Sequence, residues 1–188
     1  MRKIKEILET VTHYLNKNDI DYVFVGGIAV IIYGNPRTTV DLDLIVKMDE
    51  KEIETFSNYL QNEGFFCDPR DIKYAFEEGS HFTAEEKESL FRLDIIGVNN
   101  KRAEKTLKNK NLIEYEDINM YVASPEDTIA NKLFFGSEQD IKDAESIYIR
   151  KLNDLNHDYL NNLCEEIGVL NELNDIKKEI KLIRKDKK

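Results

Sequence analysis

The sequence predicts an α+β chain: a region of short strands and helices in alternation, followed by a helical extension. Two observations carry this. Up to about residue 123, stretches that alternate apolar and polar side chains (Asp41 to Val46, Leu90 to Gly97, Ile118 to Val122) are separated by segments with apolar residues at helical spacing. From Ser124 almost to the end only the helical pattern remains. The expected division is a core over residues 1–123 and a C-terminal helical region, residues 124–188, packed on it. One domain, or one with a helical extension, suits a chain of 188 residues.

Taken in order, Ile4, Ile7, Leu8, Val11 and Leu15 make an amphipathic first helix that stops at Asn16-Lys17-Asn18-Asp19. Tyr22 to Val25 is an apolar strand running into Gly26-Gly27, and Ile28 to Tyr33 is long enough for two helical turns. Asp41 to Val46 is the next strand. Asp49 to Glu63 carries Ile53, Phe56 and Leu60 at helical spacing and ends at Gly64. Phe65-Phe66-Cys67 reads as an edge strand, Asp68-Pro69 as a turn, and Asp71 to Glu78 as a short helix. Gly79 to Thr83 is expected to pair with Leu90 to Gly97 as a hairpin across a charged loop, Ala84 to Ser89. The stretch Tyr74 to Ser89 is expected to be an irregular, mobile wall beside Asp94. Asn100 to Lys110 reads as a helix, and Ile118 to Val122 as a further strand.

Composition narrows the function. Hydrophobic residues at 41% suffice for a core, and charged residues at 34% imply a well-solvated surface. No segment approaches the roughly 20 apolar residues that span a bilayer. Met1-Arg2-Lys3-Ile4-Lys5-Glu6 lacks the apolar core of a signal peptide, so a cytoplasmic chain with reduced Cys67 and Cys164 is expected. The net charge of −10 disfavours a strong nucleic-acid binder. The one basic run, Lys177 to Lys188, reads first as a solvated helix end and second as a surface for RNA or an acidic partner. His13, His81 and His157 form no metal-spaced set. There is no nucleophile elbow and no P-loop Gly-Lys-Ser/Thr, which removes the common hydrolase and P-loop kinase classes.

The chemistry gathers around Asp41 and Asp43. Residues i and i+2 of a strand share a face, about 6.6 Å apart at a rise of roughly 3.3 Å per residue. Both carboxylates therefore look one way, while Val40, Leu42, Leu44 and Val46 look toward a core. Aspartate is a poor strand former, so two on one short apolar strand need a reason. Gly26-Gly27 supplies part of it: glycine accepts positive φ and close approach, and amides at a helix start favour anions. Paired carboxylates beside such a turn point to metal-assisted phosphoryl chemistry. Asp94, between Leu93 and Ile95, offers a third carboxylate, or a structural residue paired with Arg92 or a neighbour.

Gly26-Gly27, Gly34, Arg37-x-Thr39 and Asp41-x-Asp43 resemble the signature of the DNA polymerase β-like nucleotidyltransferase superfamily, and within it the minimal prokaryotic enzymes that include AbiEii-type toxins. The resemblance implies a nucleotidyltransferase-like fold, a mixed α/β sheet flanked by helices, and transfer of a nucleoside monophosphate from a nucleoside triphosphate such as ATP. It implies Asp41, Asp43 and Asp94 as ligands of Mg²⁺, or of Mn²⁺ in its place, with two ions stabilising attacking and leaving oxygens. Gly26, Gly27, Arg37 and Thr38 would contact the nucleotide. Lys132 matches a lysine that the family places near its active site, as a further catalytic residue. Gln139-Asp140-Ile141-Lys142-Asp143 resembles the family's late motif, with Gln139 where a basic residue is usual.

Several of these residues have plainer readings. Ser124-Pro125-Glu126-Asp127 is a helix start, with Ser as cap, Pro in the first position and acids in the first turn. Asp140 and Asp143 either orient Lys132 or cap and solvate a helix beginning near Ser137. Arg37 serves either a phosphate or a structural salt bridge. The acceptor hydroxyl is open as well: RNA (a tRNA 3′ end included) or a protein by the toxin likeness, with a possible antitoxin partner, or a small antibiotic-type molecule. A non-catalytic nucleotide-binding module of a toxin–antitoxin pair is the third reading.

Overall fold

The computed structural model describes residues 3–185. Met1, Arg2 and residues 186–188 lie outside the described residues, and with them the first residues of the N-terminal reading and the end of the basic run. The chain clusters into two compact units. One takes in the residues up to Ile28 and Thr38–Ala123; the other takes in Ala29–Arg37 and the chain from Ser124 onward.

The first unit holds a mixed sheet. Its strands are β1 (Asp21–Phe24), β2 (Asp41–Lys47), β3 (Phe65–Phe66), β4 (His81–Glu86), β5 (Arg92–Gly97), β6 (Asn111–Tyr115) and β7 (Ile118–Val122). Their order across the sheet is β3-β4-β5-β2-β1-β7-β6. β2 runs parallel to β5 and β1 parallel to β7, while the other neighbours are antiparallel. The mixed sheet with flanking helices is the fold class expected from the sequence.

Leu42, Leu44, Val46, Leu93 and Ile95 lie on one face and are fully buried. Helix α1 (Ile4–Lys17) contributes Ile7, Leu8, Val11 and Leu15 to the core, and α3 (Glu50–Asn62) contributes Ile53, Phe56 and Leu60. The Tyr14 ring lies against Phe56 and stacks on Tyr59, tying α1 to α3. Asp49 caps α3 with a reciprocal Glu52 contact, which sets where that helix begins.

The opposite face is apolar at one end only. There α5 (Lys101–Lys108) packs Ala103 and Leu107 against Val23, Ile45 and Ala123, with Val25, Ile96 and Val98 at the border. Further along the same face of β2 and β5 the residues become Asp43, Asp41, Asp94 and Arg92. Helix packing and polar chemistry thus divide one sheet surface.

Four expectations change. Asp68-Pro69 is no free turn: Asp68 caps α4 (Pro69–Glu77) and accepts from Arg70 N, and Pro69 takes the position where no amide is needed. β4 extends to Glu86, so the β4–β5 connection is shorter than Ala84 to Ser89. Tyr74 to Ser89 is accordingly regular over most of its length, as the end of α4 and all of β4, rather than an irregular wall. The fourth change is β6, an edge strand absent from the sequence reading. It joins β7 through Glu116-Asp117, whose φ values of 49° and 68° suit a two-residue hairpin turn.

The second unit is helical. The greater part of α2 (Gly26–Tyr33) belongs to it by clustering, with α6 (Pro125–Phe135), α7 (Glu138–Lys151), α8 (His157–Glu166) and α9 (Leu170–Lys185). Leu133, Ile147, Leu160, Leu163, Leu173 and Ile176 are buried in it. A Cβ on Gly34 would stand 2.5 Å from Ser146 Oγ and 3.0 Å from Ile147, so the chain leaving α2 lies directly on α7. Buried Cys164 has its thiol pushed up to about 11 by desolvation. Among the described residues, no helix is long and apolar enough to cross a membrane.

Candidate active site

The polar end of the sheet face is organised by strand register. In the parallel β2–β5 ladder Asp41 lies opposite Arg92, and Asp43 opposite Asp94. Side chains two apart share a face, so these four residues form a compact square. β1 ends beside it, with Val25 N donating to Asp43 O at 3.0 Å. The chain then turns into α2 through Gly26, at φ 54°. A Cβ on Gly26 would stand 2.8 Å from Asp43 Cγ and closer still to its Oδ2. Gly26 is therefore required twice, by its left-handed backbone and by the Asp43 carboxylate packed on it. Gly27 is buried against Thr39, whose Oγ1 would lie 2.7 Å from an added Cβ.

Each outer carboxylate has a protein partner. Arg92 Nε donates to Asp41 Oδ1, and this pairing, with Asp94 and Glu85 nearby, raises the guanidinium pKa further. Thr83, opposite Asp94 in the antiparallel β4–β5 pair, donates its hydroxyl to Asp94 Oδ1 at 2.5 Å. Asp94 is thus held by a cross-strand threonine, while Arg92 is directed to the other strand. The donor set suits a hard divalent cation: carboxylate oxygens, two of them cross-strand neighbours, with no thiol or imidazole among them. Among the described residues, no three acidic, His or Cys side chains stand close enough as placed to hold an ion. Arg92 and Thr83 hold Asp41 and Asp94 instead.

The second unit has its own charged cluster. Lys132 Nζ on α6 lies 2.5 Å from Asp140 Oδ1 and 3.4 Å from Asp143 Oδ2, both on α7. Arg37 reaches Asp143 Oδ2 at 3.2 Å. Asp143 is 3% exposed, so its charge has to be balanced inside the protein. Gln139 donates to Asp143 Oδ1 at 2.8 Å, which replaces with a neutral hydrogen bond the charge expected at that position. Asp140 also takes the Ser137 hydroxyl at 2.6 Å, and Ser137 in turn caps α7. Both readings of Asp140 therefore hold: it orients Lys132 and it belongs to a helix cap. Burial raises its carboxyl pKa, but bonds from Lys132 and Ser137 outweigh that and leave it below the ordinary value.

Within the first unit the structure brings Gly26, Gly27, Asp41, Asp43 and Asp94 together; within the second it brings Arg37 and Lys132 together. Arg37 makes the salt bridge that was one of its two readings. Thr38 is exposed, and it is Thr39 that stands against the glycine turn, donating to Asp41 O at 3.0 Å. Ser124 caps α6, and buried Asp127 accepts from Ser124 Oγ at 2.5 Å and from the Tyr159 hydroxyl at 3.1 Å, a structural knot. The sequence reading offered Arg92 only as a structural partner of Asp94, whereas it pairs with Asp41, and it gave Thr83 no part in the site. Arg92 had a signal, two residues before Asp94 and so on its face. Thr83 had none without the hairpin register.

A glycine turn beside carboxylates on adjacent strands of such a sheet defines the class: this is the nucleotidyltransferase fold. The chain belongs to the family described as nucleotidyltransferase of unknown function (DUF6036), which matches residues 2–185. An antigenic nucleotidyltransferase-like protein from Paracoccidioides brasiliensis superposes with a TM-score of 0.56 at 19% identity, over 77% of this chain and 75% of that one. The lincosamide antibiotic adenylyltransferase LnuA, lincomycin-bound, superposes at 0.53 with 19% identity, over 77% and 98% of the two chains. ANT(2")-Ia, in complex with adenylyl-2"-tobramycin, does so at 0.58 with 9% identity, over 87% and 95%. No curated protein sequence matches the chain. Family and fold support a nucleotidyl-transfer enzyme; neither singles out the AbiEii-type toxins.

Proposed function

We propose that the chain is a metal-dependent nucleotidyltransferase that moves a nucleoside monophosphate from a nucleoside triphosphate to an acceptor hydroxyl. The observation that carries this reading is the in-register pairing of Asp43 with Asp94, with Asp41 on the same face and the Gly26 turn against Asp43. Asp41, Asp43 and Asp94 would hold Mg²⁺ or Mn²⁺. When bound, the cation neutralises charge on the phosphates and makes the acceptor hydroxyl easier to deprotonate.

The chain's own groups supply the rest. The α2 amides that follow Gly26 favour the negative triphosphate tail, because a helix start leaves N–H groups unsatisfied. In the transfer, the acceptor oxygen bonds to the α-phosphorus and the bond to the β-phosphate oxygen breaks. The acceptor loses its proton and pyrophosphate departs. Asp94, its Oδ1 held by the Thr83 hydroxyl, would take that proton on its other carboxylate oxygen. Thr38, exposed just before β2, keeps its proposed nucleotide contact. A cytoplasmic location, where nucleoside triphosphates are available, is part of this proposal.

Two acceptor readings remain. The likeness to AbiEii-type toxins points to RNA or protein, under an antitoxin's control. A small hydroxylated acceptor is favoured by the net charge of −10 and by neighbours whose structures hold lincomycin and adenylyl-2"-tobramycin. Incubation with each α-labelled nucleoside triphosphate and Mg²⁺, against RNA, protein and hydroxylated antibiotics, tests both. Label in an acceptor that is lost in Asp43→Asn supports transfer. Label confined to the nucleotide across the whole screen would favour the non-catalytic module.

A further inference from the structure

Resting on the metal-site reading above, we infer that Arg92 is a built-in counter-cation: it occupies Asp41 while the site is free of metal and yields that carboxylate when nucleotide and divalent cation bind together. The register makes this pairing a property of the fold. Arg92 is the β5 residue opposite Asp41, just as Asp94 is opposite Asp43. The square therefore holds three carboxylates and one guanidinium, and like charges brought together need a compensating cation.

Exposure separates this pair from a structural one. The Arg92 side chain is 49% exposed and Asp41 38%, against 12% for Lys132 and 4% for Asp143 in the buried cluster. Pairs as open as Arg92–Asp41 are held weakly. Arg92 can thus be displaced at little cost, whereas the Lys132 cluster cannot be opened without stranding a buried charge.

What Arg92 does on release follows from its chemistry. A guanidinium stays charged at every working pH and presents a planar fork matched to phosphate oxygens. Freed from Asp41, it stands beside the carboxylates, where the triphosphate charge arrives. One side chain then opposes metal alone and favours metal with nucleotide. That is a positive coupling between the two ligands.

Mn²⁺ binding followed by electron paramagnetic resonance, with and without ATP, tests this on wild type, Arg92→Gln, Arg92→Lys and Asp43→Asn. Without ATP, Arg92→Gln is expected to bind Mn²⁺ about two- to fivefold tighter than wild type, the factor an exposed ion pair can oppose. The gain in Mn²⁺ affinity on adding ATP should shrink in the same variant. Arg92→Lys keeps the charge and should stay close to wild type. In EDTA, Arg92→Gln should melt lower than wild type and recover more of its melting temperature on adding Mn²⁺. Unchanged or weaker Mn²⁺ binding by Arg92→Gln, with binding still abolished in Asp43→Asn, would overturn the counter-cation role and leave the metal site standing. Arg92→Lys behaving like Arg92→Gln would also overturn it. No Mn²⁺ binding by wild type, even with ATP, would remove the metal site and this inference together.

Discussion

Gly26 and Asp43 are one feature at the residue scale, since the carboxylate fills the space that a Cβ on Gly26 would take. Gly26→Ala imposes a left-handed alanine and pushes Asp43 aside. It should lower stability by about 1–3 kcal/mol, read from urea unfolding, and weaken metal-nucleotide binding as well. Asp43→Asn should lose transfer by about 10²-fold or more while its melting temperature holds or rises, because repulsion with Asp94 is relieved. A large fall in melting temperature would mark Asp43 as structural instead. Asp140 gives a prediction with a sign. Its carboxyl pKa is lower in the folded protein than its ordinary 3.8, so the stability it contributes is complete above that value. It is lost as pH falls through the depressed value. The stability gap between wild type and Asp140→Asn should be full at neutral pH and close in strong acid; a gap that stays constant would remove the Lys132–Asp140 pairing as its cause.

Among the elements, β2 and β5 carry the candidate site, and most of its residues were legible in the sequence. Alternation put Asp41 and Asp43 on one face, put Leu42, Leu44 and Val46 on the other, and did the same for Asp94 on its own strand. The parallel register that sets Asp43 against Asp94 could not be read, because registers are fixed by packing between distant segments. The pairing of Arg92 with Asp41, and of Thr83 with Asp94, stayed hidden for that reason. The missed β6 has a local cause: its residues are mostly exposed, so no apolar alternation marks it, and its turn carries Glu116-Asp117 in place of the Asn-Gly that such geometry favours. Glycine at the second of these, Asp117→Gly, should therefore raise stability by about 0.5–1 kcal/mol in urea unfolding. A loss would mean that the Asp117 side chain contributes more than its strained φ costs. Asp68-Pro69 shows the same ambiguity the other way, since a turn dipeptide is also a good opening for a helix.

For the whole molecule, each compact unit carries a charged cluster: acidic and half-buried in the sheet unit, balanced and buried in the helical one. The sequence order did not reveal that Ala29–Arg37 clusters with the later helices, because that depends on where α2 leads the chain. An acidic protein of net charge −10 that binds a polyanionic nucleotide needs local cation chemistry to overcome its own field. That requirement is the central claim in measurable form. Calorimetric titration of each nucleoside triphosphate, with and without Mg²⁺, into wild type and into Asp41→Asn/Asp43→Asn tests it directly. The expected result is binding that needs Mg²⁺ and disappears in the double variant. Nucleotide binding that ignores Mg²⁺, or that survives in the double variant, would contradict it.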